Sequence, residues 1–582
     1  MPAALAIAVG LWVVSLGVID PRAMTDLGLI SVLPASFFAA LLVLTISFAV
    51  LVHRRPQRSL LLTAHLLALI AFLHATPTIV YGTLRYSWAW KHVGIVDYIQ
   101  RHGSVATDIH ALDVYHNWPG FFALDSLLTE VAGLDDTLGF ATWAPVFFNV
   151  LNLGAVLFVF CALTRDRRVI WLGGWLFLIT CWVGQDYFSP QAFAFFLYLV
   201  VIGIVLKWLP RLARPANGEQ QRPKPWAGVG ERSREDVMRA AMVGLVVLLL
   251  AAIAASHALT AVMVTVVLTV LVLFHICGVR SLPFVALALT AVWDFVFAIN
   301  YVDGRTATLS EKIRLPWVTT ESSLTDVAQL SQGQVLVSSV ARALVVGIAA
   351  LALAGALRQW RSRGLSRPAV VLALAPLLLF LSGDYDGEIL FRIYLFAVPF
   401  LAFLAGHAVL ASAKARGRSW RAPIASAVVG SVLLAAFLVA YYGKEHQYYF
   451  TPAEVSAARY VYTHASSGTL LIEGTHNYPA QFKNYERLDY VTIAREPPAS
   501  RKRVLAHPAT VLAEWMSDPA RNGAFVIITR SQKIEVSELG ALPPGSLDRV
   551  ERALRASPRF TAVFHNRDAT VFALARTPRV PA

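Results

Sequence analysis

The segment Arg85–Gly120, RYSWAWKHVGIVDYIQRHGSVATDIHALDVYHNWPG, is the first long polar passage in a chain that is otherwise mostly apolar. It lies between two apolar segments that are each long enough to cross a bilayer, so it must sit at one membrane face. Lys91, His92, Asp97, Arg101, His102, Asp108, His110, Asp113 and His116 occur in it among aromatic residues. That mixture suits a sugar or phosphate ligand. An amphipathic helix lying on the membrane, with Trp and Tyr at headgroup depth, explains the same composition, and the two readings are compatible.

Working outward, the class follows from composition. Of 582 residues, 57% are hydrophobic and 15% charged, too apolar and too weakly charged for one soluble core. A polytopic α-helical membrane protein is expected. The net charge of +14 does not indicate a nucleic-acid partner, because the basic residues fall in short clusters between apolar segments, as in loops facing anionic lipid. Cys161, Cys181 and Cys277 lie in or beside expected spans, so neither a disulfide framework nor a CxxC metal site is indicated. The sequence implies no certain cofactor and leaves open whether a divalent metal ion assists.

About 13 spans are expected, near residues 3–19, 30–52, 59–82, 141–163, 168–184, 190–208, 238–255, 258–277, 281–300, 337–357, 369–382, 391–412 and 423–442. HRRPQRS, TRDRR, RQWRSRGLSRP, AKARGRSWRAP and the polar stretch within 209–237 then fall on one side, which the excess of Arg and Lys marks as cytoplasmic. The amino end is expected inside and the carboxyl end outside. Residues 1–442 form the transmembrane domain, with outer loops 83–140 and 301–336. The piece FFALDSLLTEVAGL within the first loop is too short to span and reads as re-entrant or interfacial.

Residues 443–582 change character, to that of a small extracytoplasmic α/β domain. TPAEVSAARYVYTHA reads as a helix with Thr451 as N-cap and Glu454 three residues later. GTLLIEG and AFVIITR suit buried strands, and RFTAVFHNRDATVFALA reads as a hairpin about a polar turn. With no GxGxxG, GxSxG or P-loop present, the domain is expected to shape a site rather than hold a nucleotide.

Ionisable groups at span ends are costly unless partnered, so they mark the places where chemistry is expected. In the first loop, Asp97, Asp108 and Asp113 are candidate bases, Lys91 and His92 candidate phosphate contacts, and Trp118 a pocket residue. Asp97 also reads as an exposed charge on a helix face. In GQDYFSPQ, Asp186 precedes a helix start whose free N–H groups suit an anion, although a plain capped turn fits equally. His257 lies between two spans, where a satisfied interfacial histidine is the commoner case. In SGDYDGEILFRIY, Asp384, Asp386 and Glu388 cluster, and Arg392 follows Glu388 by one turn. Arg392 suits a phosphate leaving group through bidentate contacts, and an ion pair that only fastens helices is the alternative.

Together, several features resemble the GT-C superfamily of integral-membrane glycosyltransferases, most closely its actinobacterial and archaeal members. These are the order of spans, the loop residues Trp88 or Trp90, His92, Ile95, Tyr98, Gly103, Tyr115, Trp118, Pro119 and Gly120, the segments QDYFSPQA, SHALT and GDYDGEILFRIYLFAVPF, and the small outer domain. The resemblance implies sugar transfer from a polyprenyl-phosphate donor to a glycan, lipid or protein acceptor at the outer face of a bacterial plasma membrane. It also implies an acidic residue in the first outer loop as base or acceptor-orienting group, and a basic residue holding the lipid phosphate. Here the usual position of the acid, just after the incoming span, is taken by Arg85 and its Trp-Ala-Trp-Lys neighbours, so Asp20, Asp26 and Asp186 stand as alternatives. A polymerase or ligase of the O-antigen type, using Arg305 and Arg314, and a transporter of lipid-linked glycan, with Asp294 as its mid-span charge, are the other classes weighed.

Overall fold

The computed structural model describes residues 1–106, 109, 111–211, 229–303, 329–382, 388–414 and 420–575. Long apolar runs become helices: α1 (Pro2–Leu16), α2 (Ala35–His53) and α3 (Ser59–Tyr81), which passes through a π-helical turn at Ala71–Ala75 ahead of Pro77, precede the first outer loop. That loop contains α4 (Ser87–His102) and α5 (Gly120–Val131). The bundle continues with α6 (Ala144–Leu163), α7 (Arg167–Leu178), α8 (Pro190–Trp208), α9 (Val229–Ser256), α10 (Ala258–Leu273) and α11 (Leu282–Phe297). It closes with α12 (Gln332–Arg361), α13 (Arg367–Leu381), α14 (Ile389–Lys414) and α15 (Arg421–Tyr442).

Among the described residues, eight of these are long and apolar enough to cross a membrane: α2, α3, α6, α8, α12, α14, α15 and the Arg234–Ser256 part of α9. α1, α10, α11 and α13 are shorter apolar helices, and α7 occupies the fifth expected span. The fold is that of a polytopic membrane protein. Close approach between helices uses small residues, as is usual where no hydrophobic effect drives association. A Cβ on Gly355 of α12 would fall onto the Leu404 carbonyl of α14.

One expected span is cut short. The apolar run to residue 184 predicts helix throughout, but α7 stops at Leu178. Thr180 Oγ1 bonds back to the Leu176 carbonyl at 2.7 Å, Tyr394 donates to the Thr180 carbonyl at 2.7 Å, and Gly184 turns the chain with φ +71°. Irregular backbone at this depth is tolerated because other helices cover it and it lines a cavity. α5 behaves as an interfacial segment of inverted polarity: Leu124, Leu127, Leu128 and Val131 are exposed, whereas Asp125, Ser126 and Thr129 are buried.

The chain after α15 forms a five-stranded sheet in the order β2-β1-β3-β5-β4, from β1 (Thr469–Glu473), β2 (Leu488–Thr492), β3 (Ala524–Thr529), β4 (Phe560–His565) and β5 (Ala569–Leu574). β1 is parallel to β2 and β3, and β4–β5 is the expected hairpin. One face packs under α16 (Pro452–His464); the other is covered by α17 (Pro498–Ala506), α18 (Pro508–Met516) and α20 (Ser546–Ala556). α19 (Arg530–Leu539) follows β3. The capping box forms as the sequence predicts: Glu454 N donates to Thr451 Oγ1 at 3.2 Å and Thr451 N to Glu454 Oε2 at 2.9 Å.

This α/β unit sits on one end of the bundle. Arg22 pairs with Asp568 at 2.9 Å, Ser331 N donates to the Glu538 carbonyl at 2.9 Å, and Thr83 donates to the Phe450 carbonyl at 2.6 Å. α4 is the principal strap. Arg101 forks onto Glu486 at 2.7 and 3.1 Å, and Gly94 approaches so closely that a Cβ would overlap the Gln481 carbonyl.

Candidate functional site

Five segments converge beneath that unit: the start of α4, the loop after α7, His257 between α9 and α10, the first turn of α14, and the chain just past α15. The first, second and last of these enclose a cavity of about 30 Å³, room for about one water, lined by Arg85, Tyr86, Trp182, Gln185, Tyr187, Tyr441, Lys444 and Tyr448 among others. Tyr86 holds a left-handed backbone with φ +69°. Its N–H donates to the Tyr448 carbonyl at 3.0 Å, and its ring packs edge-on to Tyr187 and Tyr448 at 4.7 Å. A bulky residue held in that region of backbone space is a strained position retained at a site wall.

Asp186 lies on the irregular chain that replaces the end of the expected span. Asn149 Nδ2 donates to its Oδ2 at 2.7 Å, Tyr441 donates at 3.0 Å, and His74 Nδ1 stands 3.1 Å away. Tyr441 in turn accepts from Arg85 Nη1 at 2.7 Å, and Arg85 Nη2 is ion-paired with Glu445. The result is a continuous buried chain Glu445–Arg85–Tyr441–Asp186–His74. Burial pushes the Asp186 carboxyl up, but the His74, Arg85 and Tyr441 interactions outweigh it and hold the group below its ordinary value. Burial dominates at Glu445, raised to about 7 despite Arg85.

On the other side, Arg392 Nη2 meets Glu388 Oε2 at 2.5 Å across one turn, the predicted i,i+4 pair. The Arg392 side chain is only 8% exposed, and it acts electrostatically on His257 and Tyr86. Lys444 is half-buried, its Nζ 5.4 Å above the Trp182 ring and 5.7 Å above that of Phe391. Burial lowers its pKa, and Glu388 partly restores it. Two cations, Arg85 and Lys444, thus line an aromatic cavity, Arg392 acts electrostatically on its Tyr86, and a fixed carboxylate lies behind it.

The first-loop residues part company. His92 turns inward, its Nδ1 2.7 Å from the Phe188 carbonyl and its ring stacked on Tyr187 at 5.5 Å. Burial lowers it to about 3, so it is neutral and brings no charge to a phosphate. Lys91 turns the other way, towards Glu473, Arg495 and Glu535 of the α/β unit, with Nζ 4.1 Å over Trp88. Asp97 accepts from Arg101 at 2.8 Å and from Asn484 N at 3.3 Å, as part of the strap. Asp113 accepts from Val114 N at 2.7 Å, and Trp118 packs edge-on against Tyr301 at 5.1 Å. His257 caps α10, accepting from Thr260 N at 3.2 Å, and burial lowers it to about 3.

Asp20 caps a turn at Arg22 N, at 2.9 Å, and Asp26 accepts from Gly333 N at 2.8 Å where α12 begins. Asp294 lies in α11 with Oδ1 buried and, among the described residues, without a hydrogen-bond partner. Asp108, Asp384, Asp386, Arg305 and Arg314 lie outside the described residues. Among the described residues no group of three His, Cys, Asp or Glu could hold a metal ion. Sequence reasoning missed His74, Asn149, Tyr441, Lys444 and Glu445. The available signals were His74 and Asn149, lone polar residues within apolar spans, and the Lys-Glu-His triplet directly after the last span.

No family model matches the chain, and no curated protein matches it. Among solved structures it is similar to the Archaeoglobus fulgidus oligosaccharyltransferase tethered to an acceptor peptide, at 10% identity and TM-score 0.49, over 85% of this chain and 72% of that one. It is also similar to ArnT from Cupriavidus metallidurans bound to undecaprenyl phosphate, at 13% identity and TM-score 0.48, over 90% of this chain and 99% of that one.

Proposed function

We propose that this protein moves a sugar from a polyprenyl-phosphate donor to a glycan, lipid or protein acceptor, at the outer face of a bacterial plasma membrane, with the α/β unit outside. The observation that carries this reading is the placing of Arg85 and Lys444 on one aromatic cavity at the end of the bundle, with Arg392 acting on its Tyr86 and Asp186 behind it. A lipid phosphate at the bilayer edge needs cations at that depth.

In the transfer, the bond from the sugar's anomeric carbon to the phosphate oxygen breaks and a bond to the acceptor oxygen forms. The departing polyprenyl phosphate gains charge, which Arg392 and Lys444 are placed to stabilise. The acceptor hydroxyl loses its proton to a carboxylate. Asp186, kept ionised by its donors, is the carboxylate beside the cavity, and it also favours positive charge developing on the sugar. The motif resemblance supports the same reading.

The test is to incubate the purified protein in detergent with a panel of polyprenyl-phosphate sugars and measure release of lipid phosphate. Release that Arg392→Ala abolishes without loss of folded protein is expected. Turnover retained in that variant removes Arg392 from the mechanism, and no turnover with any donor removes the reading.

A further inference from the structure

The end of the bundle remote from the α/β unit takes no part in the site described above. α12 begins beside that unit, where Ser331 N donates to the Glu538 carbonyl, and its 30 residues end at Arg361. At about 1.5 Å per residue the helix runs about 45 Å, the thickness of a bilayer with its headgroups. Arg358 and Arg361 therefore stand in the headgroup layer of the far leaflet. Trp360 and Trp420 mark the same depth, 65% and 56% exposed at the end of α12 and just before α15, as in an interfacial aromatic belt.

A groove of about 340 Å³ opens there between α12, α14 and α15. Small side chains make room for it: Ala354, Ala408 and Ala425 line it, and Gly355 lets α12 approach the α14 backbone closely. Its walls are otherwise apolar, with Leu351, Leu357, Val409 and Val429, and along α12 the lining ends in Arg358 and Arg361. Arg358 is oriented by its Nη1, which donates to the Ala408 carbonyl at 2.7 Å.

Charge at this end is one-sided. From Gln332 to Ser382, and from Ile389 to Tyr442, the sequence contains no Asp or Glu, so none of the three helices brings a carboxylate to the groove. Asp166, just before α7, lies against Arg168 at 3.4 Å. Two guanidinium groups at the head of an apolar groove match an amphiphile with an anionic phosphate. Its chains would continue over the exposed apolar surface of the same helices, Val346 and Leu353 on α12 and Val428 and Val432 on α15. A zwitterionic headgroup adds an ammonium that these cations repel, and a free phosphate leaves the apolar walls uncovered.

We propose that this groove is a binding site for an anionic phospholipid, with Arg358 and Arg361 on the phosphate and the acyl chains against Leu351 and Val429. The site is independent of the transferase reading. The test uses full-length protein, delipidated in detergent and titrated with dioleoylphosphatidylglycerol or dioleoylphosphatidylcholine, the bound lipids being counted by native mass spectrometry.

One phosphatidylglycerol held at least about tenfold more tightly than phosphatidylcholine is expected. In protein of unchanged circular dichroism, the preference should vanish in Arg358→Gln/Arg361→Gln, and also in Ala354→Phe, which fills the groove without altering charge. Arg54→Gln/Arg55→Gln removes the same charge from exposed positions outside the groove and should keep the preference. Equal binding of the two lipids, a preference that survives either groove variant, or one lost equally in Arg54→Gln/Arg55→Gln means diffuse surface attraction and overturns the proposal. Displacement of the lipid by an equal concentration of glycerol 3-phosphate, the head without its chains, would make this a free-phosphate site and overturn the lipid assignment.

Discussion

The Tyr441 hydroxyl donates to Asp186 at 3.0 Å while it accepts from Arg85, so a single phenol transmits the guanidinium charge to the carboxylate. Tyr441→Phe removes that link. A hydrogen bond to a charged group contributes about 1.5–3 kcal/mol, so transfer at neutral pH is expected to fall by at least about tenfold. Asp186 is held below its ordinary value partly by this donor, and its pKa therefore rises in the variant. The acid limb of the kcat/KM profile moves to higher pH. An unmoved limb would separate Asp186 from the rate.

Arg392 and Glu388 give a second test, through geometry rather than charge. Arg392→Lys keeps the positive charge but loses the planar fork, which for bidentate phosphate binding is not a conservative change. Turnover in Arg392→Lys is expected to fall by about a hundredfold, or about 2.7 kcal/mol, with thermal stability little altered. Near-full activity with lysine would show that only a point charge is needed.

Gly94→Ala probes the strap. The new methyl would overlap the Gln481 carbonyl, and backbone atoms cannot swing aside as a flexible side chain can. The overpacking is expected to cost about 1–3 kcal/mol and to loosen the α/β unit. Limited proteolysis between residues 443 and 452 should then proceed faster than in the unsubstituted protein, with a lower Tm.

Lys91 is expected to be retained at a cost in stability. Burial lowers it from 10.5 to about 8, so between those values the folded state binds fewer protons than the unfolded chain, and stability rises with pH across that window. Below about pH 8 the penalty is of order 3 kcal/mol. Lys91→Met should therefore raise Tm at pH 7, and the gain should shrink steadily from pH 8 upwards. A gain independent of pH would assign it to packing alone.

Much of the fold is legible in the sequence because its signals are local. Thr451 and Glu454 are three residues apart and form their cap, and the two alternating runs about His-Asn-Arg-Asp pair as β4 and β5. The apolar runs become helices near their expected limits. β2 carries little local signal, since Leu-Asp-Tyr-Val-Thr is short, and what fixes it is pairing with β1.

The site was less legible for the same physical reason. Arg85 and Glu445 are 360 positions apart, and no periodicity joins them. Lys91 and His92 are consecutive, but a helix turns about 100° per residue, so one enters the α/β unit and the other the aromatic wall. The end of α7 is not legible in the sequence because apolar composition does not reveal where a span unwinds over a cavity.

The strap that Arg101, Asp97 and Gly94 bind to the α/β unit is also the helix that follows directly on Arg85 and Tyr86, which wall the cavity. Any tilt of the outer unit must therefore drag that wall with it. A load on the outer unit would thus reach the cavity as a mechanical one, carried along about four turns of helix from Arg101 back to Ser87.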